Sequence, residues 1–229
     1  MDLAALKTAA RFRLDDPVDG DELWTDGELT EYTNEAINEA CLRARLNLDS
    51  TSVDCSVVDV IAGQASYEIH PSVFLIERAY LETTQRVISK VGFEDLDAQS
   101  DVWPTDTDTP VSYLTDLNNF TEFGLISHQL QLYPIPLISE VLRLTVYRLP
   151  LEDLEGDGDE PEMAPQHHSF LLDWICHRAY QKQDADTLDI SKALGFEQAF
   201  ELHFGLRVDA RRQEWRRKQR NKRTVGSWL

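Results

Sequence analysis

The spacing of apolar residues changes twice along this chain, and those two changes restrict the fold more than any other feature. Leu29, Tyr32, Thr33, Ala36, Ile37, Ala40, Cys41 and Ala44 recur at i, i+3, i+4 and i+7, which sets one apolar stripe along an α-helix. From about Cys55 to Leu149 the pattern becomes β-branched and alternating, as strands with one buried face require. From Gln166 it is helical again, with Phe170, Leu171, Trp174, Ile175, Cys176 and Ala179 on one broad face. Helices, then strands, then helices predict an α+β protein. Its N- and C-terminal helices form a helical bundle into which an antiparallel β-sandwich or barrel-like module is inserted. The expected divisions are 1–50 for the first helices, 51–150 for the β module and 151–165 for an acidic linker. Residues 166–206 then supply the closing helices and 207–229 a basic C-terminal extension.

Local signals fill in this outline. Leu3, Leu6 and Ala10 predict a short first helix that stops before Asp15-Asp16-Pro17, because proline disfavours helix in the residue before it. Thr25-x-x-Glu28 has capping-box spacing at the start of the second helix. Glu31, Glu35 and Glu39 mark its polar face, where Glu39 can pair with Arg43. Such a row is better read as a solvated face than as an acid–base or metal constellation, since nothing apolar surrounds it to perturb a pKa. Strands are expected at 57–61, 67–69, 74–81, 86–91, 111–114, 125–133 and 141–149. Turns are expected at Gly63-Gln64 and Asn118-Asn119, and one or two helical turns at 93–98. The last helix is expected to be capped by Asp186 or Thr187 and to run on into the basic segment around Trp215.

Charge separates the two ends of the chain. The protein carries 41 acidic and 22 basic residues, a net charge of −19. Yet Arg207 to Arg223 holds nine basic residues against two acidic ones. An acidic body argues against a reader of duplex DNA, whose footprint is basic. An acidic body with a basic tail instead points to contact between the tail and a partner. No apolar run is long enough to span a bilayer, and the start of the chain lacks the pattern of a secretory signal, so no membrane role is expected.

Enzymatic chemistry finds no foothold. Cys41, Cys55 and Cys176 stand far apart with no C-x-x-C spacing, and read as small apolar residues rather than a zinc or redox set. Asp157 and Asp159 faintly suggest a calcium loop but lack the full ligand spacing. His168 and His177 lie nine residues apart, which does not place them on one helical face for a metal. The sequence has no G-x-S-x-G elbow, no phosphate loop and no dinucleotide fingerprint. Catalytic, metal and cofactor residues are therefore expected to be none, and the chain is expected not to be an enzyme.

Four segments, in order, resemble the head-to-tail connector or adaptor (head completion) proteins of tailed bacteriophages. They are Trp24-x-x-x-Glu28-Leu29-x-x-Tyr32-x-Asn34-Glu35-Ala36, Gly63-Gln64-x-x-Tyr67-x-Ile69, Leu130-x-Leu132-Tyr133-Pro134-x-Pro136, and Leu171-Leu172-Asp173-Trp174 followed by Ala179-Tyr180. The resemblance implies a structural virion protein assembled in the host cytoplasm and placed in the neck. There it forms a homo-oligomeric ring, a dodecamer, between the portal protein and the tail or nozzle protein, and lines the DNA channel. A negative lumen would let DNA slide without sequence-specific binding. The residues expected to dock on the portal are Arg211, Arg212, Trp215, Arg216, Arg217, Arg220 and Trp228; contact of this tail with packaged DNA is the competing reading. Alternatives for the whole chain are another neck, tail-completion or minor capsid protein, or a carbohydrate-binding module. The last would expose Trp103, Tyr113, Phe120 or Phe123 as a sugar platform.

Overall fold

The computed structural model describes residues 1–16, 22–99, 102–115, 128–184 and 186–207. In chain order the elements begin with helices α1 (Leu3–Leu14) and α2 (Asp26–Ala44), strand β1 (Leu48–Asp49), helix α3 (Val53–Ser56) and strand β2 (Val57–Val60). Strands β3 (Ser66–Glu68), β4 (Val73–Leu81) and β5 (Arg86–Lys90) come next, then helix α4 (Phe93–Asp97) and a 3-10 turn at Trp103–Thr105. Strands β6 (Thr107–Asp108), β7 (Ser112–Thr115), β8 (Gln129–Tyr133), β9 (Ile135–Pro136) and β10 (Glu140–Arg148) complete the β region. A 3-10 turn at Pro165–His167 leads into helices α5 (His168–Ala179) and α6 (Ile190–Phe204). The chain is thus mixed α+β, and it divides into two compact units: Met1–Leu46 with Pro150–Leu229, and Asn47–Leu149.

In the helical unit, α5 packs against α1, α2 and α6, and Leu3, Leu6, Leu29, Leu171, Ile175 and Phe200 are fully buried. The capping box forms as its spacing requires. The Glu28 N–H donates to Thr25 Oγ1 at 3.2 Å, and the Thr25 N–H donates to Glu28 Oε2 at 2.8 Å. Before it, Trp24 is buried and its indole N–H donates to the Ala179 carbonyl at 3.0 Å, tying the start of α2 to the end of α5. The acidic stretch expected as a linker is a structural part of this unit. The carbonyls of Asp159 and Asp157 accept the N–H groups of Leu3 and Ala4 at 2.9 and 3.0 Å, so they cap two donors that the first turn of α1 cannot satisfy itself.

The last helix differs from expectation at both ends. Its N-cap is Asp189, whose carboxylate accepts the Lys192 N–H at 3.0 Å, rather than Asp186 or Thr187. The Asp189 N–H instead donates back to the Tyr180 carbonyl, which holds the preceding residues in a turn. At the other end α6 does not continue toward Trp215. It stops at Phe204, and Gly205 follows at φ +86°, a conformation that glycine adopts without the strain a side chain would bring.

In the β unit the described strands form one curled sheet, half a barrel, in the order β1-β10-β4-β5-β7-β8-β3, with β2 also on β10. A second pair joins β6 to β9. The central β10–β4 ladder shifts register between Thr145 and Val146 and again between Tyr147 and Arg148; such irregularities bend a strand and favour a curl over the flat layers of a sandwich. The inner face buries Val60, Val73, Leu81, Leu130, Leu142, Leu144 and Val146 among others. Two pairings correct the antiparallel expectation: β5 runs parallel to β7, and β6 runs parallel to β9. Parallel neighbours need a crossover connection. Residues 91–111, with α4 and a 3-10 turn, supply it for β5 and β7, and bury Leu96 and Trp103 against Leu114. The expected turn at Asn118-Asn119 and the expected strand residues 125–127 lie outside the described residues.

Candidate interaction surface

The residues that carry the sequence resemblance serve packing and hydrogen bonding. On α2, Leu29 and Ala36 are buried. The Asn34 amide donates to the Leu154 carbonyl at 3.1 Å and accepts the Leu154 N–H at 2.9 Å. Glu35 takes a two-pronged contact from Arg178, at 2.6 and 3.3 Å. In the β unit Gly63 has φ +80°, and the Tyr67 hydroxyl donates to the Gln64 carbonyl at 2.6 Å. Tyr133-Pro134 is a cis peptide bond. Of the expected row Glu31, Glu35 and Glu39, Glu31 is exposed, Glu35 pairs with Arg178, and Glu39 pairs with Arg43 as its spacing allowed; Glu28, one turn earlier, pairs with Lys182.

The root of the basic extension sits on that row. Arg43 is almost fully buried, lying between the Trp174 ring at 4.9 Å and the Phe200 ring at 5.2 Å, an arrangement that stabilises a guanidinium. Its Nε donates to Glu39 Oε2 at 3.0 Å, while the other carboxylate oxygen lies 3.3 Å from Arg207 Nη2. Glu39 thereby bridges a buried arginine to the first arginine of the extension. Sequence reading counted Arg207 only as a charge; a contact so distant in sequence leaves no periodic signal.

On the other side of α2 a groove opens between that helix and residues 150–162. Its lining includes Ile37 and Leu154, both buried, and Leu151, which is 43% exposed. Glu152, Asp153 and Glu160 stand exposed along its rim. Elsewhere on the helical unit two large apolar side chains face solvent almost completely, Phe12 at 89% and Leu202 at 90%. Sequence reading missed Leu202 because it falls between the buried positions Phe200 and Phe204 of α6.

The four histidines of the helical unit are accounted for locally. The buried His177 bonds through Nδ1 to the Ala193 carbonyl at 2.8 Å, and the buried His168 through Nε2 to the Met163 carbonyl at 3.2 Å. His203 stacks on Phe170 at 3.5 Å and bonds to His167 at 3.2 Å. Burial, and then the neighbouring His167, hold the His203 pKa below its ordinary value. The Asp159 carboxylate accepts the Glu155 and Gly156 N–H groups at 3.0 and 2.7 Å, closing a turn. Among the described residues no group of three or more His, Cys, Asp or Glu is arranged to hold a metal ion, and no helix is long and apolar enough to cross a membrane.

Of the expected portal-docking residues, Arg211, Arg212, Trp215, Arg216, Arg217, Arg220 and Trp228 all lie outside the described residues. Of the four aromatics proposed for a sugar platform, Trp103 and Tyr113 are buried, while Phe120 and Phe123 lie outside the described residues. Over residues 1–224 the chain matches the family described as SU10 adaptor protein. No curated protein sequence matches it.

Proposed function

The chain belongs to the SU10 adaptor protein family, a phage head–tail adaptor family and hence a source of virion components, and from that premise we propose a non-enzymatic role as a ring between portal and tail. Copies of the chain assemble as a homo-oligomer, a dodecamer, in the neck of the virion after synthesis in the host cytoplasm. Their helices form the bundle that makes the ring body, and the ring lines the channel through which DNA passes. The observation that carries this reading is the family match across residues 1–224. The charge of the chain agrees with it: a lumen dominated by carboxylates repels the phosphate backbone and leaves it free to slide.

In this reading the extension after Arg207 is the portal-docking segment. Arg211, Arg212, Arg216, Arg217 and Arg220 supply guanidinium groups for acidic portal side chains, and Trp215 and Trp228 supply apolar anchors. Deleting the residues after Arg207 should abolish portal binding while the far-UV circular dichroism and melting temperature of the body stay unchanged. Undiminished portal binding by the truncated chain would overturn the docking role. Salt-sensitive duplex binding by the extension, with portal binding retained on truncation, would assign it to DNA instead.

A further inference from the structure

We propose that the groove between α2 and residues 150–162 is a binding site for an arginine-rich, tryptophan-bearing peptide, and that its occupant is residues 208–223 of the same chain. The inference rests on reading the extension as a partner-binding segment, and it adds a second place for that segment to go.

The chemistries of site and occupant are complementary in two respects. The floor sets the aliphatic Ile37, Leu154 and half-exposed Leu151 beside the amide side chains of Asn34 and Asn38, and an indole laid over Leu151 loses apolar surface to water. The rim presents Glu152, Asp153 and Glu160, and residues 150–165 contain no lysine or arginine. Between 208 and 223 the chain has eight basic residues and two acidic ones, with Trp215 set between the pairs Arg211-Arg212 and Arg216-Arg217. Trp215 on the floor therefore brings two guanidinium pairs to the rim, where they meet carboxylates in forked geometry.

The tether favours the chain's own segment over that of a second copy. Arg207 is held 3.3 Å from Glu39, on the helix that also supplies Ile37 to the groove. From there the eight residues to Trp215 can span about 26–29 Å when extended. That exceeds the roughly 10–12 Å width of the single helix they must pass. A segment tethered so closely meets its site at an effective concentration on the order of millimolar, above that of other copies in dilute solution. The extension cannot occupy the groove and a portal at once, so the groove keeps it covered until a portal displaces it.

Limited trypsin digestion of the full-length protein tests this, since the cleavable arginines lie in the proposed occupant. At low salt the wild-type extension should be cut slowly. The variant Glu152→Gln/Asp153→Asn/Glu160→Gln should be cut about tenfold faster, because the rim pairs are lost. Raising the salt should bring the wild type up to the rate of the variant, as exposed pairs are screened. Trp215→Ser, which leaves the rim intact, should release the extension as well. Equal cleavage of wild type and both variants at low salt would overturn the proposal. Protection that appears only as the protein is concentrated would also overturn it, by assigning the groove to a second copy. Portal binding is read separately: its absence in every form strikes the adaptor reading, whereas the protection difference stands or falls with the groove.

Discussion

At the scale of the residue, Asp49 and Arg148 show how the β unit tolerates charge inside it. Both side chains are buried, and Arg148 Nε donates to Asp49 Oδ2 at 2.6 Å. Burial pushes the Asp49 carboxyl up, but hydrogen bonds from Ser52, Arg148 and Thr51 outweigh it and hold the pKa far below the ordinary carboxylate range. A depressed folded-state pKa stabilises the protein above the unfolded value near 4, and that contribution is lost as pH falls below it. Asp49→Asn should therefore cost about 3 kcal/mol at neutral pH, since it leaves a buried guanidinium without its anion. The difference from wild type in urea unfolding should narrow in acid; a constant difference down to the lowest pH would contradict this. The three thiols give a second test. Cys41, Cys55 and Cys176 are buried, and burial pushes the Cys176 pKa up to about 12, so a thiol reagent should modify none of them until the chain unfolds. Rapid labelling of the native protein would show that a core is more open than described.

At the scale of the element, what the sequence made legible follows from how local each determinant is. The capping box of α2 needs only Thr25 and Glu28, one turn apart, and it forms; Thr25→Ala should cost about 1 kcal/mol in thermal or urea unfolding. The strands around Leu142, Leu144 and Val146 were visible because alternation marks a half-buried strand wherever its neighbours lie. Their pairing was not, since the parallel contact of β5 with β7 depends on a crossover of some twenty residues whose folding no short pattern records. The start of α6 was misplaced because several acids and a threonine precede it, and only the turn closed by Asp189 and Tyr180 selects among them. Its end could have been read from Gly205, which follows the last buried aromatic. The pairing of Glu39 with Arg43 was legible one turn apart on α2, but the contact of Arg207 with Glu39 was not, because it joins α2 to the chain beyond α6.

At the scale of the whole molecule, the four resemblance segments gave the family without giving a site, because the side chains described in them pack and hydrogen-bond within each of the two units. Trp24 ties α2 to α5, and Asn34 fastens the acidic stretch that caps α1. An adaptor of this kind acts through its surfaces, and those depend on partners that no pattern within one chain specifies. The central claim is that copies of this protein close into a ring on a portal. It is tested most directly by measuring the mass of the purified protein, alone and mixed with portal, by light scattering with electron microscopy of the mixture. A monomer that becomes a closed ring only on the portal is the predicted result; a stable monomer or dimer that ignores the portal would contradict it.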